Sequence, residues 1–465
     1  MLGNHTVRSV STSPDAPHAS PVAASGQRHR TYIPCPTRIT MTRLRRSLPA
    51  VFCVAYLMLS ASLVQGQVGP GEHWVGTWAT ALVAPPASSS SFANQTLRQV
   101  VRVSLGGARL RITFSNVYGT QPLTIGAATV ARQADAEAII PASNRPLTFG
   151  GRQSVTIPPG ASVLSDAVAL NVPALSDVAI DLYVPGDTSA SESPITQHSA
   201  AIQTSYTSMP GDHTGRDDFP VDTTTTSWFF LARVDVVAPE HIGAVVLFGD
   251  SITDGSGSTL DTNNRWPDHL ARRLHNANIR FGILNLGIAG NRVLSDGLGV
   301  SALARFDREV LAQPGVTHVI VLEGINDIGL ALTDIGIPRT DPPPTAEDII
   351  FGHQQLIERA RTRNVQIYGA TFLPFAGTSL ARIPNYYSTD GDTTRQTVNA
   401  WIRTSGAYDA VIDFDAALQN PEAPLEMLPR YDSGDGLHPG DTGYEAMANT
   451  LDLELLQVAE PGNAR

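Results

Sequence analysis

The sequence contains no lysine: all 32 basic residues among its 465 are arginine. That absence excludes a Schiff-base or pyridoxal lysine, a P-loop lysine and a Ser–Lys dyad. Cysteine is nearly as scarce, with only Cys35 and Cys53. No Gly-x-Ser-x-Gly elbow, no Gly-x-Gly-x-x-Gly dinucleotide fingerprint and no His-Glu-x-x-His zinc motif occurs. Charged residues make up only 16%, against 42% apolar, which is a globular rather than a disordered balance. The length suits two or three domains with ample core.

Residues 1–66 do not read as part of a fold. Arg43, Arg45 and Arg46 precede an apolar stretch from Leu48 to Val64, and small residues stand toward its end and after it at Ser60, Ser62 and Gly66. This is the outline of a secretory signal peptide. The stretch, about 17 residues, also reaches the lower limit for a transmembrane anchor. The expectation is cleavage near Gly66–Gln67 or Ser62–Leu63, with Met41 a second candidate start and a secreted or periplasmic product. The segment's net +6 takes the formal charge from -11 to -17 when it leaves, and both cysteines leave with it. An acidic, cysteine-free product disfavours nucleic acid and anionic lipid as partners, and no stable membrane insertion is expected after cleavage.

Two further regions differ in periodicity. Over residues 67–240 short period-2 runs alternate with turn signals such as Pro158-Pro159-Gly160 and Pro185-Gly186. Val101, Val103 and Leu105, then Leu110, Ile112 and Phe114, flank Gly106-Gly107 and predict a hairpin. Further strands are predicted at Leu123–Ala131, Gln153–Ile157, Ser162–Leu170, Asp177–Val184 and Trp228–Val237. The region reads as an all-β, sandwich-like accessory domain. Over residues 241–465 strands and helices alternate. Ala244–Phe248 is a continuous apolar run, as a buried parallel strand should be. Strands at Ile279–Leu286, Val316–Leu322, Val365–Thr371 and Ala410–Phe414 follow. Intervening helices are predicted at Pro267–Leu274, Ser301–Leu311, Ala346–Arg363, Thr393–Thr404 and Thr442–Leu456. Regular alternation predicts a five-stranded parallel sheet between helices, with ligands beyond its carboxyl edge.

Chemistry-bearing residues fall at those strand ends. The first strand runs into Gly249-Asp250-Ser251, the second into Gly287-Ile288-Ala289-Gly290-Asn291, and the third into Glu323-Gly324-Ile325-Asn326-Asp327. Taken singly, these read as ordinary turns and helix caps. After the fifth strand, Asp435 precedes His438 by three residues, so its carboxylate can orient one imidazole nitrogen and leave the other as a base. In strand order 2-1-3-4-5 all four blocks meet in one crevice. Ser251 would be a nucleophile activated by His438. The N–H groups of Ser251 and Gly290 and the Asn326 amide would receive an oxyanion. A rate rising through roughly pH 6–7, the ordinary imidazole range, is expected of such a base.

The blocks GDSITDG, NLGIAGN, GIND and DGLHP resemble the SGNH hydrolases, the GDSL esterase/lipase family, over about residues 243–456. The resemblance implies a flavodoxin-like α/β/α fold. It assigns Ser251, His438 and Asp435 as the triad and Ser251, Gly290 and Asn326 as the oxyanion hole, with no cofactor and no metal. Ile252 stands where the family often has Leu, and Glu323 replaces a small residue. HWVGTWAT and NRWPDHLARRL, with the β region upstream, resemble an exported bacterial subgroup related to acetylxylan-esterase-like proteins. The crevice rim would include Asp327, the Pro342–Pro344 loop and the segment from Pro374 to Tyr387. Trp266, Phe375, Tyr386 and Tyr387 are candidate surfaces for a sugar or an acyl chain. With no long apolar lid in the sequence, a short-acyl, acetyl ester of a soluble or polymeric carbohydrate is the expected substrate. A general esterase, lipase or lysophospholipase, a carbohydrate-binding protein on a hydrolase scaffold, and a metal-dependent hydrolase are the competing readings.

Overall fold

The computed structural model describes residues 68–84, 90–190, 192–331, 333, 335–381 and 383–456. The signal-like segment lies outside them. The β region contains Glu72–Ala79 (β1), Ala93–Val103 (β2), Gly107–Ser115 (β3), Ala127–Asp135 (β4), Val168–Val172 (β5), Ser176–Asp187 (β6), Ser205–Ser208 (β7), Val221–Thr225 (β8) and Leu231–Pro239 (β9). One antiparallel sheet runs β1-β9-β3-β5, and the other runs β8-β7-β2-β6-β4. Their apolar residues, Val101 and Val103 from β2 and Leu110, Ile112 and Phe114 from β3, belong to one core.

The hairpin expected around Gly106-Gly107 does not form, because β2 and β3 lie in different sheets. Alternation is the same whether a chain folds back in its own sheet or arches into the facing one. The link is fastened to β1 instead. The Thr77 hydroxyl donates to the Leu105 carbonyl at 2.7 Å and accepts the Leu105 N–H at 2.8 Å. Leu105 is thereby buried between the sheets.

The α/β region follows with Gly243–Gly249 (β10), Phe281–Gly287 (β11), Val316–Leu322 (β12), Gln366–Ala370 (β13) and Ala410–Ile412 (β14). They form a parallel sheet in the order β11-β10-β12-β13-β14, the switch-point order anticipated above. Every residue of β10 is buried, which explains its unbroken apolar run. The helices are Ser251–Asp254 (α1), Trp266–Asn276 (α2), Ala302–Phe306 (α3), Ile325–Gly329 (α4), Ala346–Arg361 (α5), Thr389–Thr404 (α6), Phe414–Leu418 (α7) and Asp441–Thr450 (α8). Local chemistry starts α5 where it does. Thr345 caps it by accepting the Asp348 N–H, while the Asp348 carboxylate accepts the Thr345 N–H. Its buried face, Ile349, His353, Leu356, Ile357 and Ala360, recurs at helical spacing.

The two regions share one continuous apolar core and are not separate compact units. The strand β1 covers β11, the edge of the parallel sheet. A side chain at Gly76 would meet Leu284 at 2.9 Å, the Ile283 N–H donates to the Ser104 hydroxyl at 2.8 Å, and the Gly76 N–H donates to the Pro314 carbonyl at 3.0 Å. An otherwise open sheet edge is thus closed by the β region. Among the described residues no helix is long and apolar enough to cross a membrane.

Candidate active site

Register places the site. Gly249 of β10 pairs with Gly287 of β11 on one side and with Leu322 of β12 on the other, so the three strands end level. The chain then turns into α1. Asp250 caps it, its carboxylate accepting the Ile252 N–H at 2.9 Å, and Ser251 becomes the first helical residue. The loop after β11 is tied back when the Ile288 N–H donates to the Gly249 carbonyl at 3.0 Å. Gly290 in that loop has φ 75°, a left-handed conformation suited to glycine.

His438 arrives from the other end of the chain. Its Nε2 lies 2.8 Å from the Ser251 Oγ, and its Nδ1 lies 2.6 Å from an Asp435 carboxylate oxygen. The second Asp435 oxygen accepts the backbone N–H groups of Leu437 and His438 at 2.9 and 2.8 Å. Burial alone would raise the Asp435 pKa, but the hydrogen bonds and the His438 charge outweigh it and bring it down to about 2. The Asp432 carboxylate shapes this loop by accepting the N–H groups of Gly434 and Gly436. Gly436 has φ 72° and backs onto the Gly377 carbonyl, where a side chain has no room. Asp441 at the start of α8 fastens the loop to the nucleophile side, accepting from the Thr259 N–H and the Asn264 amide at 2.8 and 2.9 Å.

Asn326 is buried on α4. Its Oδ1 accepts the Tyr386 hydroxyl at 2.8 Å, which fixes the amide so that Nδ2 is the free end. That buried Nδ2 has no hydrogen-bond partner among the described residues. An unpartnered buried donor costs stability unless something else receives it, and a developing oxyanion is such a group.

Beneath these groups runs a buried charged layer. The fully buried guanidinium of Arg305 donates to the Gly249 and Leu286 carbonyls at 2.9 and 2.8 Å, to Asn291 Oδ1 at 2.9 Å, and to Glu309 and Glu323 at 2.9 and 3.3 Å. It thus clamps the ends of β10 and β11 and the loop that carries Gly290. Burial and the neighbouring Asp250 and Asp327 carboxylates push the Glu323 pKa well above its ordinary value, only partly opposed by Arg305. Burial likewise raises Asp250 to about 7 and Asp327 to about 6.

Several expected substrate contacts fall elsewhere. Trp266 is 0% exposed and packs edge-on against Phe414 at 5.5 Å. Phe375 is also 0% exposed, wedged against Tyr386 and Tyr387. Neither offers a face to a ligand, because apolar packing claims both rings. Asp327 is buried, and its two oxygens accept the Val293 and Leu294 N–H groups at 2.6 and 3.0 Å. It braces the loop after Gly290 rather than facing the crevice. Tyr386 and the half-buried Tyr387 do line a cavity of about 860 Å³ beside α4, together with Ile328, Pro343, Pro344 and Asn385. Sequence reasoning missed Tyr386 as the orienter of Asn326, and it missed Arg305 altogether. The Tyr386 link leaves no spacing signal. The internal Arg305 and the unusual Glu323 together were the one available hint of a buried pair. Among the described residues no group of three His, Cys, Asp or Glu side chains is placed to hold a metal ion.

Residues 247–446 match the model of the GDSL-like Lipase/Acylhydrolase family. Similar solved structures include an acetyl xylan esterase, with 20% identity over 44% of this chain and 96% of that one and a TM-score of 0.33. A lipase/acylhydrolase from Enterococcus faecalis shares 21% identity over 45% of this chain and 92% of its own, with a TM-score of 0.34. A GDSL-like lipase from Bacteroides thetaiotaomicron shares 19% identity over 45% and 85%, with a TM-score of 0.33. No curated protein matches the chain.

Proposed function

We propose that this chain, whose residues 247–446 form a GDSL-like lipase/acylhydrolase domain, is an exported serine ester hydrolase that removes acetyl or other short acyl groups from carbohydrates. The observation that carries the reading is the unbroken relay from Asp435 through His438 to the Ser251 hydroxyl. His438 Nε2 takes the Ser251 proton as Oγ bonds to the ester carbonyl carbon. The carbonyl oxygen becomes an oxyanion, received by the Ser251 and Gly290 N–H groups and the Asn326 amide. Collapse breaks the bond to the alcohol, which leaves with the proton from His438. Water then repeats the sequence on the acyl-serine, releasing the acid and restoring Ser251. Asp435 stays ionised throughout and stabilises the imidazolium.

The carbohydrate part of the reading is supported by the cavity beside α4, whose lining residue Tyr386 donates to Asn326. Its volume suits a sugar residue or two. Asn385, Ser388, Asp390 and Thr394 give it hydrogen-bonding groups between proline and tyrosine surfaces. The acidic composition and the signal-like N-terminus support export to where such polymers are met.

The test compares wild type with Ser251→Ala on acetylated xylan and on p-nitrophenyl esters of increasing chain length. Serine-dependent acetate release from the polymer is the expected result. Serine-dependent turnover of small or long-chain esters alone would keep the mechanism and move the substrate to a general esterase or lipase. No serine-dependent turnover, with retained binding to the polymer, would favour a binding protein.

A further inference from the structure

The helix α1 has four residues, too few to hold itself together in isolation. Its last residue, Asp254, is buried, and its carboxyl group reaches the β region. There it meets His198, whose Nε2 lies 2.9 Å from Asp254 Oδ1. The Nδ1 of the same ring lies 2.8 Å from the Ala81 carbonyl oxygen. A carbonyl oxygen only accepts, so Nδ1 carries a proton and Nε2 is the nitrogen that faces the Asp254 carboxyl group. Burial works against a charge on His198, but the Asp254 carboxylate and the Ala81 carbonyl outweigh it and raise its pKa. The pair is a buried contact between an imidazole and a carboxyl group, with side chains only 4% and 5% exposed.

His198 is itself firmly seated. Its ring stacks on Trp228 with centroids 5.5 Å apart. The Trp228 indole N–H donates to the Val100 carbonyl of β2 at 3.0 Å, and its ring meets Trp78 of β1 edge-on at 4.9 Å. At the other end, the Asp254 N–H donates to the Asp250 carbonyl and the Gly255 N–H to the Ser251 carbonyl, both at 2.9 Å, closing the turn that presents the hydroxyl. A displacement of Asp254 is therefore a displacement of Ser251.

We propose that the β region serves the reaction directly, with His198 as a positioning residue that holds the one-turn helix Ser251–Asp254, and with it the Ser251 hydroxyl, in register with His438. The inference rests on Ser251 being the nucleophile. It makes the β region a structural part of the active site rather than a detachable binding module.

The experiment measures kcat and KM on p-nitrophenyl acetate, and the rate at which a fluorophosphonate labels Ser251. The variants are wild type, His198→Ala, Asp254→Asn, the double variant and Ser251→Ala, each checked for folding by circular dichroism. A misplaced nucleophile costs up to about 100-fold. A roughly 10- to 100-fold fall in kcat and in labelling for His198→Ala is therefore expected, with KM within about twofold of wild type. The double variant should lose no more than the worse single one. An unchanged kcat in folded His198→Ala overturns the proposal, as does a KM effect alone, or losses that multiply in the double variant. If His198→Ala does not fold, Asp254→Asn decides by the same kcat and KM criteria, since it weakens the contact with His198 Nε2 while keeping the size of the side chain. If Ser251→Ala keeps turnover, the failure belongs to the reading of the nucleophile. If Ser251→Ala is inactive while His198→Ala and Asp254→Asn are not, it belongs to this inference alone.

Discussion

Replacing Arg305 with methionine removes a guanidinium that reaches five acceptors and is fully buried. Not all five are left bare. The Gly249 carbonyl keeps the Ile288 N–H, and Glu309 keeps Arg308 at 2.7 Å. The Leu286 carbonyl and Asn291 Oδ1 each lose this charged donor. Glu323 loses the cation it pairs with, and its Oε1 has no partner among the described residues. Breaking a buried pair by removing one member costs about 3–5 kcal/mol, the range expected at pH 7. Unfolding entropy of about 2.1 cal/mol/K per residue, over roughly 390 residues, gives about 0.8 kcal/mol/K, so calorimetry should show Tm lower by about 4–6 °C. The deficit depends on pH. Glu323 has a folded pKa raised by burial, so its protonated form is the one the interior tolerates, and its contribution is lost as pH rises. The penalty should accordingly shrink toward acid. Adding Glu323→Gln to Arg305→Met should recover about 1–3 kcal/mol at pH 7 by removing an acid that the interior has left without a partner. A loss below about 1 kcal/mol, or a double variant no more stable than the single one, would refute the idea that Arg305 clamps the strand ends through charge.

Asn326→Ala should lower kcat by about 10²–10³, with KM little changed, if its amide receives the oxyanion. Tyr386→Phe leaves that amide in place but unoriented, so a smaller loss, about 2- to 10-fold, is expected in the same assay. Asp435→Asn should lower kcat on the order of 10³–10⁴ while melting within a few degrees of wild type, because its task is to fix the imidazole. Asp327 and Asp435 should pull stability in opposite directions with pH. Asp327, raised to about 6, contributes stability that is present below about pH 4 and is lost as pH rises through 6, so Asp327→Asn should flatten that decline in denaturation midpoints. Asp435, lowered to about 2, contributes above about pH 4, and its share vanishes only as pH falls through 2.

The parallel sheet was legible because its two central strands carry unbroken apolar runs, Ala244–Phe248 and Val319–Leu322, with helical spacing between them. The strand order puts the ends of the first three strands side by side, so Ser251, Gly290 and Asn326 could be grouped from the sequence. What failed depended on partners remote in sequence. Period-2 alternation carries no information on which sheet a strand joins, so β2 and β3 read as a hairpin. An aromatic residue shows its size but not which neighbour claims it, so Trp266 and Phe375 read as ligand surfaces although Phe414 and Tyr387 cover them. Asp327 read as rim chemistry because its two backbone partners lie 33 and 34 residues upstream, in a loop whose path the sequence does not specify.

The hydrogen bond between His438 and Ser251 spans 187 residues of chain. Synthesis runs from the N-terminus, so the serine emerges long before its base. The β region and the first strands of the parallel sheet can pack while His438 is still being made, but a nascent chain at that stage carries an unactivated hydroxyl. A chain halted between the last strand of the parallel sheet, Ala410–Ile412, and residue 438 would hold all five strands without a working centre. Hydrolytic competence is thus acquired among the last steps of the molecule's own assembly.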